Sequence, residues 1–117
     1  MKEVVKIFKA LSDINRLRIL KMLEVRSLCV CEITAILQLA PSTVSNHLAI
    51  LREAGLVIDS KDGKWVNYAL SPDKSFEHPR EILSLVQNWL ASDKTIIADM
   101  KAVSTVDRIL LRSTQMR

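Results

Sequence analysis

The chain has 117 residues, of which 49% are apolar, 4% aromatic and 26% charged, with two glycines, three prolines, two cysteines and a net charge of +4. This length predicts one domain, and the scarcity of Gly and Pro favours a helix-rich globule over a sandwich, a barrel or a disordered chain. So few aromatics argue against stacking platforms for single-stranded nucleic acid, while the basic balance suits a nucleic-acid partner.

No apolar run approaches the roughly 18 residues needed to span a bilayer. The first residues, Met1-Lys2-Glu3-Val4-Val5-Lys6, contain no signal-peptide core. The expectation is a cytoplasmic protein with no membrane partner, in which two cysteines are reduced thiols rather than a structural disulfide.

Val4, Val5, Ile7, Phe8 and Leu11 recur at helical spacing. Ser12 or Asp13 is placed to cap a second helix. There Ile14, Leu17, Leu20 and Leu23 are expected to face inward, with Arg16, Arg18 and Lys21 between them. Residues 31–39 read as a third helix, with Ile33, Ile36 and Leu37 apolar.

Pro41 suits a helical first turn, where its missing N–H is not needed. It opens a fourth helix that runs to Ala54 and stops at Gly55. Val44, Leu48 and Leu51 form its apolar stripe, and Ser42, Ser45, Asn46 and Arg52 fall elsewhere on it. Residues 56–60 and 64–70 are strand-like, and the Asp62-Gly63 step between them is a hairpin signal. After the break at Ser71-Pro72-Asp73, helical spacing returns over residues 79–92 and again over residues 95–111.

Two short helices joined tightly and followed by a two-stranded hairpin make a winged helix-turn-helix. The fold class is therefore mainly α with a small β-hairpin, in one domain over residues 1–117. The fourth helix presents its N-terminal residues to the major groove, which makes Ser42, Thr43, Ser45, Asn46 and His47 candidates for DNA contact, with Arg52 further along. Lys61 and Lys64 at the hairpin tip reach phosphates. Between Gln38 and Ile58 only Arg52 is basic, so the electrostatic pull is assigned to Arg16, Arg18, Lys61 and Lys64. The competing use of such a fold is protein contact alone.

Leu28-Cys29-Val30-Cys31-Glu32-Ile33 holds both cysteines, about ten residues before the recognition segment. Two thiols with one residue between them form a compact chelate for a soft cation or metalloid. On an ideal helix, residues i and i+2 lie roughly 200° apart. Either the start of the third helix is irregular, or binding unwinds it. Inert buried thiols are the alternative. The sequence carries no Ser-His-Asp set, phosphate-binding Gly loop or paired-acid site, and no enzyme is expected.

These motifs together resemble the ArsR/SmtB family of bacterial metal(loid)-responsive repressors. The carrying segments are Leu11-Ser12-Asp13-Ile14-Asn15-Arg16-Leu17-Arg18-Ile19-Leu20, the Cys29-Val30-Cys31 run, Ser42-Thr43-Val44-Ser45-Asn46-His47-Leu48, Leu51-Arg52-Glu53-Ala54-Gly55-Leu56-Val57, and the wing Asp62-Gly63-Lys64-Trp65-Val66-Asn67-Tyr68. The match covers about residues 5 to 90. It implies a homodimer that binds an imperfect inverted repeat in double-stranded operator DNA and lets go when inducer binds. It also implies that the first and last helices, 1–11 and about 79–111, pair across the dimer.

The interface is assigned to Val4, Val5 and Phe8 with Ile82, Leu85, Val86, Trp89, Ile96 and Ile97. The Cys29/Cys31 pair is similar to the thiol sites of the family's arsenite, antimonite, cadmium and lead sensors. Thr34 stands where three-thiol arsenite sensors carry a third Cys, and residues 1–28 lack the N-terminal cysteines of cadmium/lead sensors. Asp73, Glu77, His78 and Glu81 lie where zinc-type sensors hold ligands, without a second downstream His. The expected inducer is therefore trivalent arsenic or antimony, with no cofactor required. Cadmium or lead, and thiol oxidation, are the alternatives.

Overall fold

The computed structural model describes residues 1–72 and 77–115, in the order α1 (Lys2–Leu11), α2 (Ile14–Leu23), β1 (Leu28–Cys29), α3 (Val30–Leu37), α4 (Pro41–Glu53), β2 (Val57–Asp62), β3 (Trp65–Leu70), α5 (Glu77–Gln87), α6 (Lys94–Val103) and α7 (Arg108–Gln115). Pro41 occupies the first turn of α4 as expected, and Gly55 beyond its end has φ +80°, the left-handed stop that glycine adopts at no steric cost. Asp13 caps α2 by accepting from the Asn15 N–H at 2.8 Å and the Arg16 N–H at 3.1 Å. Burial raises its pKa, but the Arg16 and Asn15 N–H groups outweigh this, and the carboxyl sits below its ordinary value.

The β structure goes beyond a hairpin. Among the described residues it is an antiparallel sheet in the order β1-β3-β2. The wing register runs from Val57 opposite Leu70 to Asp62 opposite Trp65. The loop is thus Gly63-Lys64, one residue later than the Asp-Gly signal suggests, with Gly63 at φ +61°. Glycine at the first loop position matches the twist of the two strands. The added strand β1 is only two residues long, with Leu28 opposite Tyr68 and Cys29 opposite Asn67. A strand this short carries no period-2 pattern to read.

The core is built from Ile7, Ala10, Ile19, Leu20, Met22, Leu28, Ile33, Val44, Leu48, Leu51, Leu56 and Val103, with others around them. This corrects the inward face expected for α2. Ile14 is 77% exposed, whereas Ile19, Leu20, Met22 and Leu23 are buried. A three-residue step drifts around a helix of 3.6 residues per turn, so Ile14 and Leu23 do not share a face.

Lys21, expected on the polar side, is 2% exposed. Its ammonium donates to the Val86 carbonyl at 2.9 Å and the Gln87 carbonyl at 3.3 Å, and pairs with Glu24 at 2.9 Å. It therefore satisfies the carbonyls that end α5, where a cation is favoured. The tail is also two helices rather than one, since residues 104–107 interrupt the pattern between α6 and α7. No helix among the described residues is long and apolar enough to cross a membrane.

Candidate thiol site and nucleic-acid interface

Cys29 belongs to no helix. It closes β1 and is the N-cap of α3, with φ −84° and ψ 165°, so the extended conformation a cap requires is already present. Cys31 follows in the first turn of α3. This junction answers the geometric problem of two thiols one residue apart. Because Cys29 is the extended cap rather than a helical residue, the two thiols are not confined to opposite faces of one helix. Cys29 is 2% exposed, and Cys31 is half-buried; both are free thiols. Burial pushes the Cys29 thiol up to about 12, the Cys31 thiol adds to this, and the Glu32 N–H opposes it.

The turn is a capping box with sulfur in place of a hydroxyl. The Glu32 N–H faces the Cys29 sulfur, and the Glu32 carboxylate accepts the Cys29 N–H at 2.9 Å. The same carboxylate accepts from Arg26 at 3.1 Å. Arg26 in turn donates to the Val103 and Val106 carbonyls at 3.1 and 2.9 Å. Sequence reasoning missed Glu32, although Cys29-x-x-Glu32 carries the capping-box spacing once Cys is read as a large Ser. Thr34, one turn beyond Cys31, has a buried hydroxyl with no hydrogen-bond partner among the described residues. Asp73 lies outside the described residues. Glu77, His78 and Glu81 are exposed on or near the first turns of α5, and no group of three His, Cys, Asp or Glu able to hold a metal occurs among the described residues.

The turn between α3 and α4 is three residues long and starts with Gln38 in the left-handed region at φ 57°. α4 then splits cleanly. Val44, His47, Leu48 and Leu51 are buried, while Ser42, Thr43, Ser45 and Asn46 are exposed at its N-terminal end. His47 is thus on the opposite side from the other candidates. Its Nδ1 is 3.1 Å from an Arg16 guanidinium nitrogen. Arg16 is also committed elsewhere, donating to the Ala10 and Lys9 carbonyls at 2.8 and 3.1 Å.

Arg18 is held by Asp99 through two hydrogen bonds at 2.7 and 2.9 Å, which raises its pKa above the ordinary value. Arg18 is thus paired with a carboxylate, whereas Arg16 is held by carbonyl oxygens that leave its charge unneutralised. Arg52 is exposed and pairs with Asp59 on the wing at 2.9 Å. Lys61 and Lys64 are exposed on the wing, and the Lys64 ammonium lies 5.7 Å from the Trp65 ring centre.

Of the residues assigned to an interface between copies, Val5, Phe8, Leu85, Trp89 and Ile97 are exposed, with Phe8 at 62%. Val4 and Ile82 are half-buried and line a groove between α1 and α5 together with Phe8 and Leu85. Val86 and Ile96 differ from the expectation: both are buried within the protomer itself, each about 100° around its helix from the exposed Leu85 or Ile97 beside it.

Comparison with known proteins agrees with this architecture. Residues 13–59 match the model of the bacterial regulatory protein, arsR family. The chain is 37% identical over 91 residues to the cadmium resistance transcriptional regulatory protein CadC homolog of Staphylococcus aureus, a match covering 71% of this chain and 75% of that protein. The chain belongs to the ArsR/SmtB family of metal(loid)-responsive repressors. It is also 48% identical over 69 residues to the arsenical resistance operon repressor of Escherichia coli (strain K12), covering 58% of this chain but only 59% of that protein. Among solved structures, reduced HlyU from Vibrio cholerae N16961 aligns with a TM-score of 0.64 at 33% identity, over 77% of this chain and 90% of that one. As a member of the ArsR family, the protein is a DNA-binding transcriptional repressor.

Proposed function

We propose that this ArsR-family repressor is released from its operator by trivalent arsenic or antimony bound to Cys29 and Cys31. The observation that carries the reading is the strand–helix junction, where Cys29 caps α3 from an extended conformation and Cys31 follows in its first turn. Arsenous acid condenses with two thiols: two As–S bonds form, two As–O bonds break, and the thiol protons leave in two waters. No proton is released to solvent. A divalent cadmium or lead ion requires both thiols to lose their protons, which desolvation of the Cys29 thiolate opposes. The same burial disfavours oxidation, since redox-sensing thiols are exposed and readily ionised. Both arsenical and cadmium resistance proteins are among the relatives, so names alone leave the inducer open.

A parallel release titration tests the reading. Operator-bound protein is exposed to arsenite, antimonite, cadmium, lead and hydrogen peroxide. Release by the first two alone is expected; release only by cadmium and lead, or only by peroxide, replaces the proposal with the corresponding alternative.

For DNA, the exposed start of α4 is the proposed reading surface and the wing its phosphate clamp. Ser45→Ala and Asn46→Ala are expected to weaken specific operator binding by about 1–3 kcal/mol each if they contact base edges. Lys61→Ala and Lys64→Ala should weaken binding to every sequence and flatten its salt dependence. A binding isotherm series at several salt concentrations separates the two behaviours, and unchanged affinity in all four variants rejects the surface. His47 is left out because it faces the core.

Each protomer offers one recognition helix, and a palindromic operator presents two grooves about 34–36 Å apart. A symmetric dimer through Val5, Phe8, Leu85, Trp89 and Ile97 supplies the pair. Sedimentation at micromolar concentration is expected to give twice the 13.2 kDa chain mass, and Phe8→Glu should shift it to monomer and lower operator affinity. A native monomer that binds one chain per operator would overturn the assembly.

A further inference from the structure

The tail after α6 has no role in the reading so far, yet its geometry ties the thiol site to the wing. Arg108 opens α7. Its guanidinium donates to the Asp62 carboxylate at 2.7 Å and to the Asn67 side-chain oxygen at 3.1 Å, and lies 5.0 Å from the Trp65 ring centre. All three partners belong to the wing. Asp62 ends β2, Trp65 begins β3, and Asn67 is the residue paired with Cys29 across the sheet. On its other side α7 packs against α3, whose first turn carries Cys31 and Glu32. Two residues before Arg108, the Val106 carbonyl is gripped by Arg26, which also holds Glu32. Arg26, Glu32, Asn67 and Arg108 line one cleft of about 300 Å³.

We propose that Arg108 is a positioning residue, through which α7 holds the wing for DNA and passes the state of the thiol pair to it. This rests on the inducer reading above. A ligand shared by both sulfurs turns the Cys29 sulfur away from the Glu32 N–H and opens the capping box. Glu32 then shifts, Arg26 loses its fixed angle on the Val103 and Val106 carbonyls, and α7 moves with the Arg108 fork that grips the wing. A forked guanidinium with two oxygen partners and a ring beneath it fixes direction as well as distance, which a lysine does not. Asp62 is mostly exposed, so loss of the fork should leave the fold intact.

The test measures operator affinity with and without saturating arsenite, and arsenite uptake separately by equilibrium dialysis. Arg108→Ala is expected to take up arsenite as the native protein does, while the ratio of the two operator affinities falls about tenfold, within the range such coupling residues show. Arg108→Lys should fall similarly, because the charge remains and the fork does not. A merely structural residue would lower stability and leave the ratio alone, so an unchanged ratio in both variants overturns the proposal. Native protein that takes up no arsenite would sink the inducer reading instead. Positioning of the wing then stands on uninduced operator affinity, expected about three- to tenfold weaker in Arg108→Ala, and falls if that affinity is unchanged.

Discussion

Cys29→Ser protein is expected to hold its operator as the native protein does and to stay there when arsenite is added. The two expectations come from the two roles of one residue. As the N-cap of α3, Cys29 sits in an extended conformation with its sulfur toward the Glu32 N–H and its own N–H bonded to the Glu32 carboxylate. Serine is among the best residues for that position, so the capping box survives and thermal stability should be equal or slightly higher. As one of the two sulfurs proposed to chelate the inducer, however, it has no substitute. Removing one arm of a chelate costs the effective concentration of the second contact, roughly 10²–10⁴-fold.

Cys31→Ser should lose the response to the same extent. Thr34→Cys should tighten arsenite binding instead, because it places a third soft donor one turn from Cys31, where a buried hydroxyl now lacks a partner. Operator anisotropy during arsenite titration, with a melting curve for each variant, reads both roles. A Cys29→Ser/Cys31→Ser protein that still releases DNA at native arsenite levels places the inducer site elsewhere.

The sequence made the helices of the DNA-reading half legible because each signal there is local. Pro41 and Gly55 bracket α4, and Val44, Leu48 and Leu51 keep one face of it. The wing was legible in kind, with its turn off by one residue, because Asp62 and Gly63 favour a turn without deciding which of them ends the strand. The thiol pair was legible as two neighbouring cysteines but not as a geometry. Whether Cys29 falls inside α3 depends on Asn67, 38 positions downstream, forming the pair that makes β1.

The partners of Arg18 and Lys21 were hidden for a related reason. Composition counts charges, but their partners are Asp99 and the end of α5, both distant in sequence. The ties of Arg26 to Val103 and Val106 and of Arg108 to the wing were likewise invisible, since they span 77 to 80 and 41 to 46 positions.

Arg18→Ala is expected to unfold the protein more readily without removing a DNA contact. Arg18 and Asp99 join α2 to α6 through a forked pair, and their side chains are only 20% and 6% exposed. Burial of this degree limits screening by solvent. Truncating one partner therefore leaves the other charged and poorly hydrated, a loss of about 3–5 kcal/mol for a buried pair. For a domain of this size the melting temperature should fall by more than 10 °C, at roughly 4–8 °C per kcal/mol.

Replacing both partners with apolar residues, as in Arg18→Met with Asp99→Leu, should recover most of that loss, because no unpaired charge remains. The outcome separates this account from the charge-based one. If Arg18 attracts DNA, the double variant is stable but binds operator more weakly, with a shallower salt dependence. If Arg18 is a tie between helices, the double variant regains stability and keeps both the affinity and the salt slope of the native protein. Equal melting of Arg18→Ala and native protein would reject the tie outright.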